Sequence, residues 1–479
     1  MKTIIFLIIF SFALHIQSAF SQSIQKNRVI ILTDIGADPD DSESMVRLLL
    51  YSNEIDIEGI VATTSCWQKT EIHPEYIKNI IQAYGKVQPN LNKHEAGFPT
   101  VESLMNKLKN GLAEYGMLGV GKEKDSEGSD WILKILEKND ERPLWISVWG
   151  GVNTLAQALY KIKNTKTDVE AKKLIAKLRV YTISDQDDSG VWIRKNFPNL
   201  FYIVSPGDDY GNATWSAINS VIDGINNEKI SNSWLEKNIQ QGKGPLGAVY
   251  PDVAYGMEGD TPSWLNLIPN GLSYPEHPEW GGWGGRYELY LPKFDSLNSV
   301  NSGVPIIPET RAIWTNAIDT YTPYYFNEYG RTVKYDTTVD FKSNKATLWR
   351  WRDDFQNDFA ARMNWCTKSF NEANHPPVPK LLIPEHITVK SGEGVKLYAS
   401  ATDPDGDNLS YLWFNYPEAG SYKKNIKINS AENIYNAYVV APEVEKKETV
   451  QFILKVTDKG TPPLSRYKRV FVTITPGEM

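Results

Sequence analysis

Between residues 28 and about 220, short apolar runs alternate with longer amphipathic stretches, and that alternation limits the fold more than any other feature of the chain. Strands are expected at 28–33, 57–62, 144–149, 177–183 and 200–204, with helices near 41–52, 74–87, 130–138, 152–163 and 212–226 between them. Runs such as Val29-Ile30-Ile31-Leu32 show no polar alternation, so both faces of the strand are expected to be covered. The fold class that follows is α/β, a mostly parallel sheet with helices on both faces. In such sheets ligands gather beyond the carboxyl ends of the strands.

Four aspartates, Asp34, Asp38, Asp40 and Asp41, stand within eight residues directly after the first apolar run. Two unscreened carboxylates about 4 Å apart repel by roughly 4 kcal/mol at an effective dielectric near 20, so several together need a cation, protons or a splayed geometry. The oxygen-rich set favours calcium, which takes 6–8 such ligands, over magnesium, which keeps several waters. The competing account is a helix cap with the remaining acids in solvent, but a cap uses only one or two acids.

The chain opens with Met1-Lys2, an apolar segment from Ile4 to Leu14, and small residues at Ala19 and Ser21. This is the pattern of a secretory signal peptide over residues 1–21, which implies a secreted or periplasmic protein with no transmembrane segment after cleavage. The two cysteines, Cys66 and Cys366, allow one disulfide or two buried thiols. A net charge of −7 without a basic cluster argues against a nucleic-acid partner. The 15 tryptophans and 25 tyrosines suit the apolar faces of sugars as well as a core.

From about 228 to 340 the sequence is loop-rich and aromatic, with Trp280 and Trp283 each followed by a Gly-Gly pair. A helix is expected around 355–370, and Asn374-His375-Pro376-Pro377-Val378-Pro379 then marks a boundary. About 100 residues of short strands and turns follow, fitting an immunoglobulin-like β-sandwich. The organisation expected is a signal peptide at 1–21, an α/β domain at 22–374 and an all-β domain at 375–479 that can be removed without unfolding the first. Asp403-Pro404-Asp405-Gly406-Asp407 reads as a tight turn in preference to a second calcium site.

Leu32-Thr33-Asp34-Ile35-Gly36-Ala37-Asp38-Pro39-Asp40-Asp41 resembles the calcium-binding opening motif of nucleoside hydrolases. Trp149-Gly150-Gly151-Val152-Asn153-Thr154-Leu155-Ala156 is similar to that family's later element, and Glu258-Gly259-Asp260-Thr261-Pro262-Ser263 to its late aspartate segment. With Ile72-His73-Pro74-Glu75, Asp185-Gln186-Asp187-Asp188 and the Pro275–Arg286 stretch, the mature chain resembles secreted bacterial proteins described as cellulose-binding, which carry a nucleoside-hydrolase-like domain and a C-terminal sandwich. The resemblance implies calcium held by Asp34, Asp38, Asp41, the Asn153 carbonyl and Asp260, Asp34 as the base, and Asp40 on a sugar hydroxyl. Departures at Leu32, Cys66 and Gly259, where the family has an aspartate, an asparagine and often a histidine acid, point to an altered substrate or lost activity.

A leaving group needs its own proton donor. Glu258 is the first candidate, with Asp187 and His277 behind it, while Trp67, Trp192, Trp280 and Trp283 are candidate sugar platforms. His73, before Pro74, is expected to order a turn. The expected function is a calcium-dependent hydrolase of an N- or O-glycosidic bond, its partner a carbohydrate or glycoside. The alternative is a non-catalytic cellulose- or carbohydrate-binding protein on a hydrolase scaffold.

Overall fold

The computed structural model describes residues 25–477 apart from 208–209, 224, 298–302, 328 and 335–339. The expected signal peptide lies outside the described residues. The α/β unit runs β1 (Asn27–Thr33), α1 (Asp40–Leu50), β2 (Ile55–Ala62), α2 (Pro74–His94), α3 (Val101–Lys107), β3 (Leu108–Asn110), α4 (Glu127–Leu136) and β4 (Leu144–Val148). It continues with α5 (Asn153–Thr165), α6 (Asp168–Ala176), β5 (Leu178–Thr182), α7 (Ser189–Asn196), β6 (Phe201–Val204), α8 (Ala213–Asn219), β7 (Tyr287–Tyr290) and β8 (Ile313–Asn316). Each of the five strands expected from the sequence is present, and β3, β7, β8, α3, α6 and α7 are additional.

The strands form one eight-stranded sheet in the order β3-β2-β1-β4-β5-β6-β8-β7. All neighbours are parallel except β7 against β8. Residues of β1 alternate between the two faces: Val29 and Ile31 enter one apolar cluster, Ile30 and Leu32 the other. That double burial is why the run lacks polar residues. The chain winds outward from β1 through β2 to β3, then returns to β4 on the other side of β1 and winds on to β6. The carboxyl ends of β1 and β4 therefore form the switch point at which α/β sheets open a crevice.

After the helix at Arg352–Trp365 the chain becomes all-β. His386–Lys390, Ser465–Thr475, Glu448–Asp458 and Leu409–Asn415 make a four-stranded sheet, and two two-stranded ribbons accompany it. The unit has its own apolar cluster, including Leu397, Trp413, Phe452 and Val470. Tyr416, Ala419, Ile453 and Tyr467, however, belong to the same cluster as Val29, Trp264 and Phe355 of the α/β unit. A hydrophobic core continuous across the boundary runs against the all-β unit being removable. Cys66 and Cys366 are buried thiols with no bond joining them. No described helix is long and apolar enough to cross a membrane.

Candidate functional site

The loop after β1 turns at once, Ala37 N–H donating to the Asp34 carbonyl, and then enters α1, so its four carboxylates stand at the switch point. Asp34, Asp40 and Asp41 are buried, while Asp38 is partly exposed. The loop is fixed from within: Asp40 N–H donates to Asp38 Oδ1 at 3.3 Å, Asp41 N–H to Asp40 Oδ1 at 3.1 Å, and the Thr33 hydroxyl to Asp41. Asp38, Asp40 and Asp41 each bring a carboxylate oxygen within 4.8 Å of the other two.

Asp260 comes from more than 200 residues away and lines the same cavity as these aspartates. It is 2 % exposed, and its Oδ2 has no hydrogen-bond partner. Burial is the main influence on each of these carboxyls, reinforced by neighbouring aspartates, and it pushes Asp34 up to about 7 and Asp40, Asp41 and Asp260 well above the usual range. An all-oxygen donor set with an orphaned buried oxygen fits a hard cation such as calcium. The β4 loop closes over it with no room to spare: a Cβ on Gly150 would meet Asp34 Oδ1 at 2.5 Å.

These five aspartates line a cavity of about 450 Å³ together with Trp67, Trp149, Gln186, Tyr210, Trp215 and Tyr255. The indole N–H of Trp67 donates to the Tyr210 hydroxyl at 2.9 Å, and that of Trp215 donates to Asp40 Oδ2 at the same distance. Tyr210, Trp215 and Tyr255 were not expected from the sequence, since all lie in loop or helix away from any motif. A trace of Trp215 does exist at Gly259, where a Cβ would fall 1.8 Å from its Nε1. The lack of a side chain at Gly259 makes space for this indole. His73 lies outside the cavity and covers the loop from behind, 2.8 Å from where a Cβ on Gly36 (φ +108°) would stand, with Nδ1 on Glu75 at 2.9 Å.

The remaining expected residues are placed elsewhere. Glu258 is fully buried and holds Arg47, with Oε2 2.5 Å from Nε and Oε1 3.0 Å from an Nη. It also accepts from the Tyr250 and Thr261 hydroxyls at 2.8 and 2.9 Å. Both oxygens are engaged by Arg47 and the two hydroxyls, and Glu258 does not line the cavity, so its place is that of a partner holding Arg47. Glu258→Gln is expected to cost stability, about 3–5 kcal/mol for leaving buried Arg47 without its counter-charge, measurable by urea unfolding; unchanged stability would count against this assignment.

Asp187 sits behind the cavity, accepting from Asn153 N–H (3.1 Å) and from the Ser189 N–H (2.9 Å) and hydroxyl, so it ties the start of α5 to that of α7. Burial raises it to about 6. The Asn153 side chain bonds Thr63, Thr64 and the Glu114 carbonyl, and Asn153 does not line the cavity. Trp192 is half-buried on α7, edge-on to Phe197.

His277 and Trp280 stack at 3.7 Å at the opposite edge of the sheet. Glu276 beside them pairs there with Arg179 at the start of β5. Trp280 packs on Phe471 of the all-β unit. Trp283 is fully buried, edge-on to Phe355 and Tyr467. Trp192, His277, Trp280 and Trp283 do not line the cavity that holds the aspartates.

Comparison with known proteins follows the same lines. A solved structure described as a nucleoside hydrolase-related hypothetical protein from Saccharophagus degradans, associated with carbohydrate metabolism, is 36% identical with a TM-score of 0.79, covering 94% of this chain and all of its own. Two effector structures, XOO4466 (8% identical, TM-score 0.35, 72% of this chain and 94% of its own) and XopQ complexed with adenosine diphosphate ribose (10%, 0.27, 52% and 68%), are too distant to carry an argument. No curated protein matches the sequence. Residues 394–474 match the profile of the cellulose-binding protein Sde0182 C-terminal domain. Residues 28–287, more than half of the chain, match that of the cellulose-binding Sde182 nucleoside hydrolase-like domain, and the chain belongs to this family.

Proposed function

We propose that the protein is an exported, calcium-dependent hydrolase of a glycosidic bond that acts on sugar-containing substrates of the plant-wall class. One observation carries the reading most directly: the buried, unpartnered Oδ2 of Asp260 among the aspartates that follow β1. Asp34, Asp38, Asp41 and Asp260 would hold the cation, with the Asn153 carbonyl. Bound calcium would supply a fixed positive charge for sugar hydroxyls and a water. Asp34 would take the proton of the attacking water as the bond from the anomeric carbon to the leaving group breaks, the leaving group departing with that bond's electron pair. Asp40, both oxygens already fixed by Asp41 N–H and Trp215, orients a sugar hydroxyl. Trp67, Trp215 and Tyr255 offer ring faces to the sugar. The family's description as cellulose-binding, and the relative's association with carbohydrate metabolism, favour a carbohydrate over a free nucleoside.

A second reading, a carbohydrate-binding protein on a hydrolase scaffold, is favoured by the leaving-group side. Glu258 is locked on Arg47, and Trp215 fills the space beside Gly259. Without a proton donor, only good leaving groups depart readily. Turnover is therefore expected for aryl glycosides with acidic phenols and weak for alkyl glycosides, lost with chelator and lost in Asp34→Asn, with calcium content measured alongside. Full activity in a calcium-loaded Asp34→Asn protein would refute the mechanism. Retention on cellulose without turnover of any nucleoside, aryl glycofuranoside or wall oligosaccharide would favour the binding protein.

A further inference from the structure

Two buried histidines meet where the α/β unit gives way to the all-β unit. His94 is the last residue of α2, and His375 stands just before the Val378–Leu381 strand. His94 Nδ1 lies 2.9 Å from His375 Nε2. The outer nitrogens are engaged as well, His94 Nε2 with the Lys368 carbonyl at 2.9 Å and His375 Nδ1 with Asp405 Oδ1 at 2.9 Å. Asp405 Oδ2 also accepts from the His375 backbone N–H at 2.6 Å.

The two ends of this chain fix its protons. A carbonyl and a carboxylate only accept, so His94 Nε2 and His375 Nδ1 both carry hydrogen. Neutral imidazole has a single N–H, and two neutral rings with their hydrogens outward would set lone pair against lone pair across the 2.9 Å contact. That contact therefore needs one further proton between the rings. A second would set N–H against N–H. The aromatic faces around the pair favour a positive charge: His375 stacks on Phe370 at 3.9 Å and on Trp365 at 5.1 Å, and His94 on Trp365 at 5.3 Å.

We propose that Asp405, His375 and His94 form a proton-dependent clamp between the two units, complete while the pair of rings holds one proton and broken when base removes it or acid adds another. Other charges face it from each side. Glu95 follows His94, Asp403 and Asp407 share the turn of Asp405, and Glu54, Arg466 and Lys468 line a groove together with both histidines. Glu54 is paired with Arg362 and Arg466 with Asp358, and Lys368, which gives its carbonyl, is exposed. None of the three clamp residues lines the cavity with the aspartates.

The sign differs on the two sides. Burial, with His375 beside it, holds His94 below the usual imidazole range. A group lowered on folding contributes stability that is present above its unfolded pKa, about 6.5, and lost as pH falls through the folded value. On the alkaline side the folded chain keeps one proton that two unfolded histidines have given up above about 6.5, so stability is lost as pH rises.

Asp405→Asn separates the proton from the contact. Its carboxamide oxygen accepts the His375 backbone N–H and its nitrogen donates to His375 Nδ1, so both rings complete the chain as neutral imidazoles with no proton to lose. The Tm of the full mature parent and of this variant, each with calcium, is measured by calorimetry at pH 6, 7, 8 and 9. The parent is expected to fall relative to the variant by about 2 °C or more between pH 6 and pH 9. A difference that stays constant over that range, as a purely structural role for Asp405 would give, overturns the proposal. Should the variant fail to fold, the ring-nitrogen resonances of the parent labelled with ¹⁵N-histidine decide at pH 7.5, where an ordinary imidazole is about nine-tenths neutral. One ring protonated on both nitrogens, and neutral again at pH 10, supports the clamp; only neutral rings at pH 7.5 overturn it.

Discussion

A chain ending near residue 375 is expected to be recovered insoluble or unfolded, and the intact protein to unfold in one transition. Tyr467 is fully buried within the cluster that also holds Val29 and Trp264, and its hydroxyl bonds Asp354 and approaches Trp283 Nε1. Truncation uncovers this face, at about 1.5–3 kcal/mol for each large apolar side chain that returns to water. It also strips partners from buried charges. Asp358 loses Arg466 at 2.6 Å, Asp354 loses Lys455 at 2.7 Å, and Asp319 loses the Tyr416 hydroxyl at 2.5 Å while keeping Arg286 and Arg350. The Leu272 and Gly281 carbonyls lose the Arg469 guanidinium. Removing one partner of a buried ion pair costs about 3–5 kcal/mol, and two such losses are comparable with the whole stability of a domain, about 5–15 kcal/mol. Far-UV circular dichroism and urea unfolding of chains ending between 370 and 380 would check this. A soluble truncated chain with one steep, cooperative transition would show that the α/β unit stands alone.

The residues whose places differ from what their sequence context suggests share a physical cause. The aspartate loop was legible because its ligand types are contiguous and follow an apolar strand whose period marks it as buried. Glu258 was not, because a glutamate two residues before Asp260 suggests an acid, and the arginine that neutralises it is Arg47, 211 positions away. Trp283 between its glycines suggested an exposed ring on a pliant loop. The glycines serve close packing instead: a Cβ on Gly282 would meet Asn266 Oδ1 at 2.4 Å, and one on Gly284 the Pro262 carbonyl at 2.7 Å. Trp215 left its only trace as an absence, the missing side chain at Gly259. The proline-rich stretch at 376–379 does mark where α/β gives way to all-β, but composition cannot tell a linker from a segment pinned across a shared core. Here Asn374 and His375 are both buried and bonded to the all-β unit.

Stability is expected to change with pH in opposite senses with and without calcium. In chelator, Asp34 keeps its proton up to about 7 when folded, against about 3.8 when unfolded, because burial and Asp38 both disfavour its charge; Asp40, Asp41 and Asp260 are raised as well. A group raised on folding contributes stability that is fully present below its unfolded pKa and is lost as pH rises through the folded value. The metal-free protein should therefore weaken between about pH 4 and 7, by on the order of 4 kcal/mol from Asp34 alone. A cation takes the place of those protons and binds the carboxylates best when they are charged, so calcium should bind more tightly, and stabilise more, as pH rises through the same window. Urea unfolding at pH 5 and pH 8, each with chelator and with calcium, measures the difference. Calcium should raise stability little at pH 5 and strongly at pH 8, and Asp260→Asn should shrink the pH 8 gain, since it removes a charge that both repels Asp34 and attracts the ion. An equal calcium effect at both pH values would mean that the aspartates after β1 neither hold these protons nor exchange them for a metal.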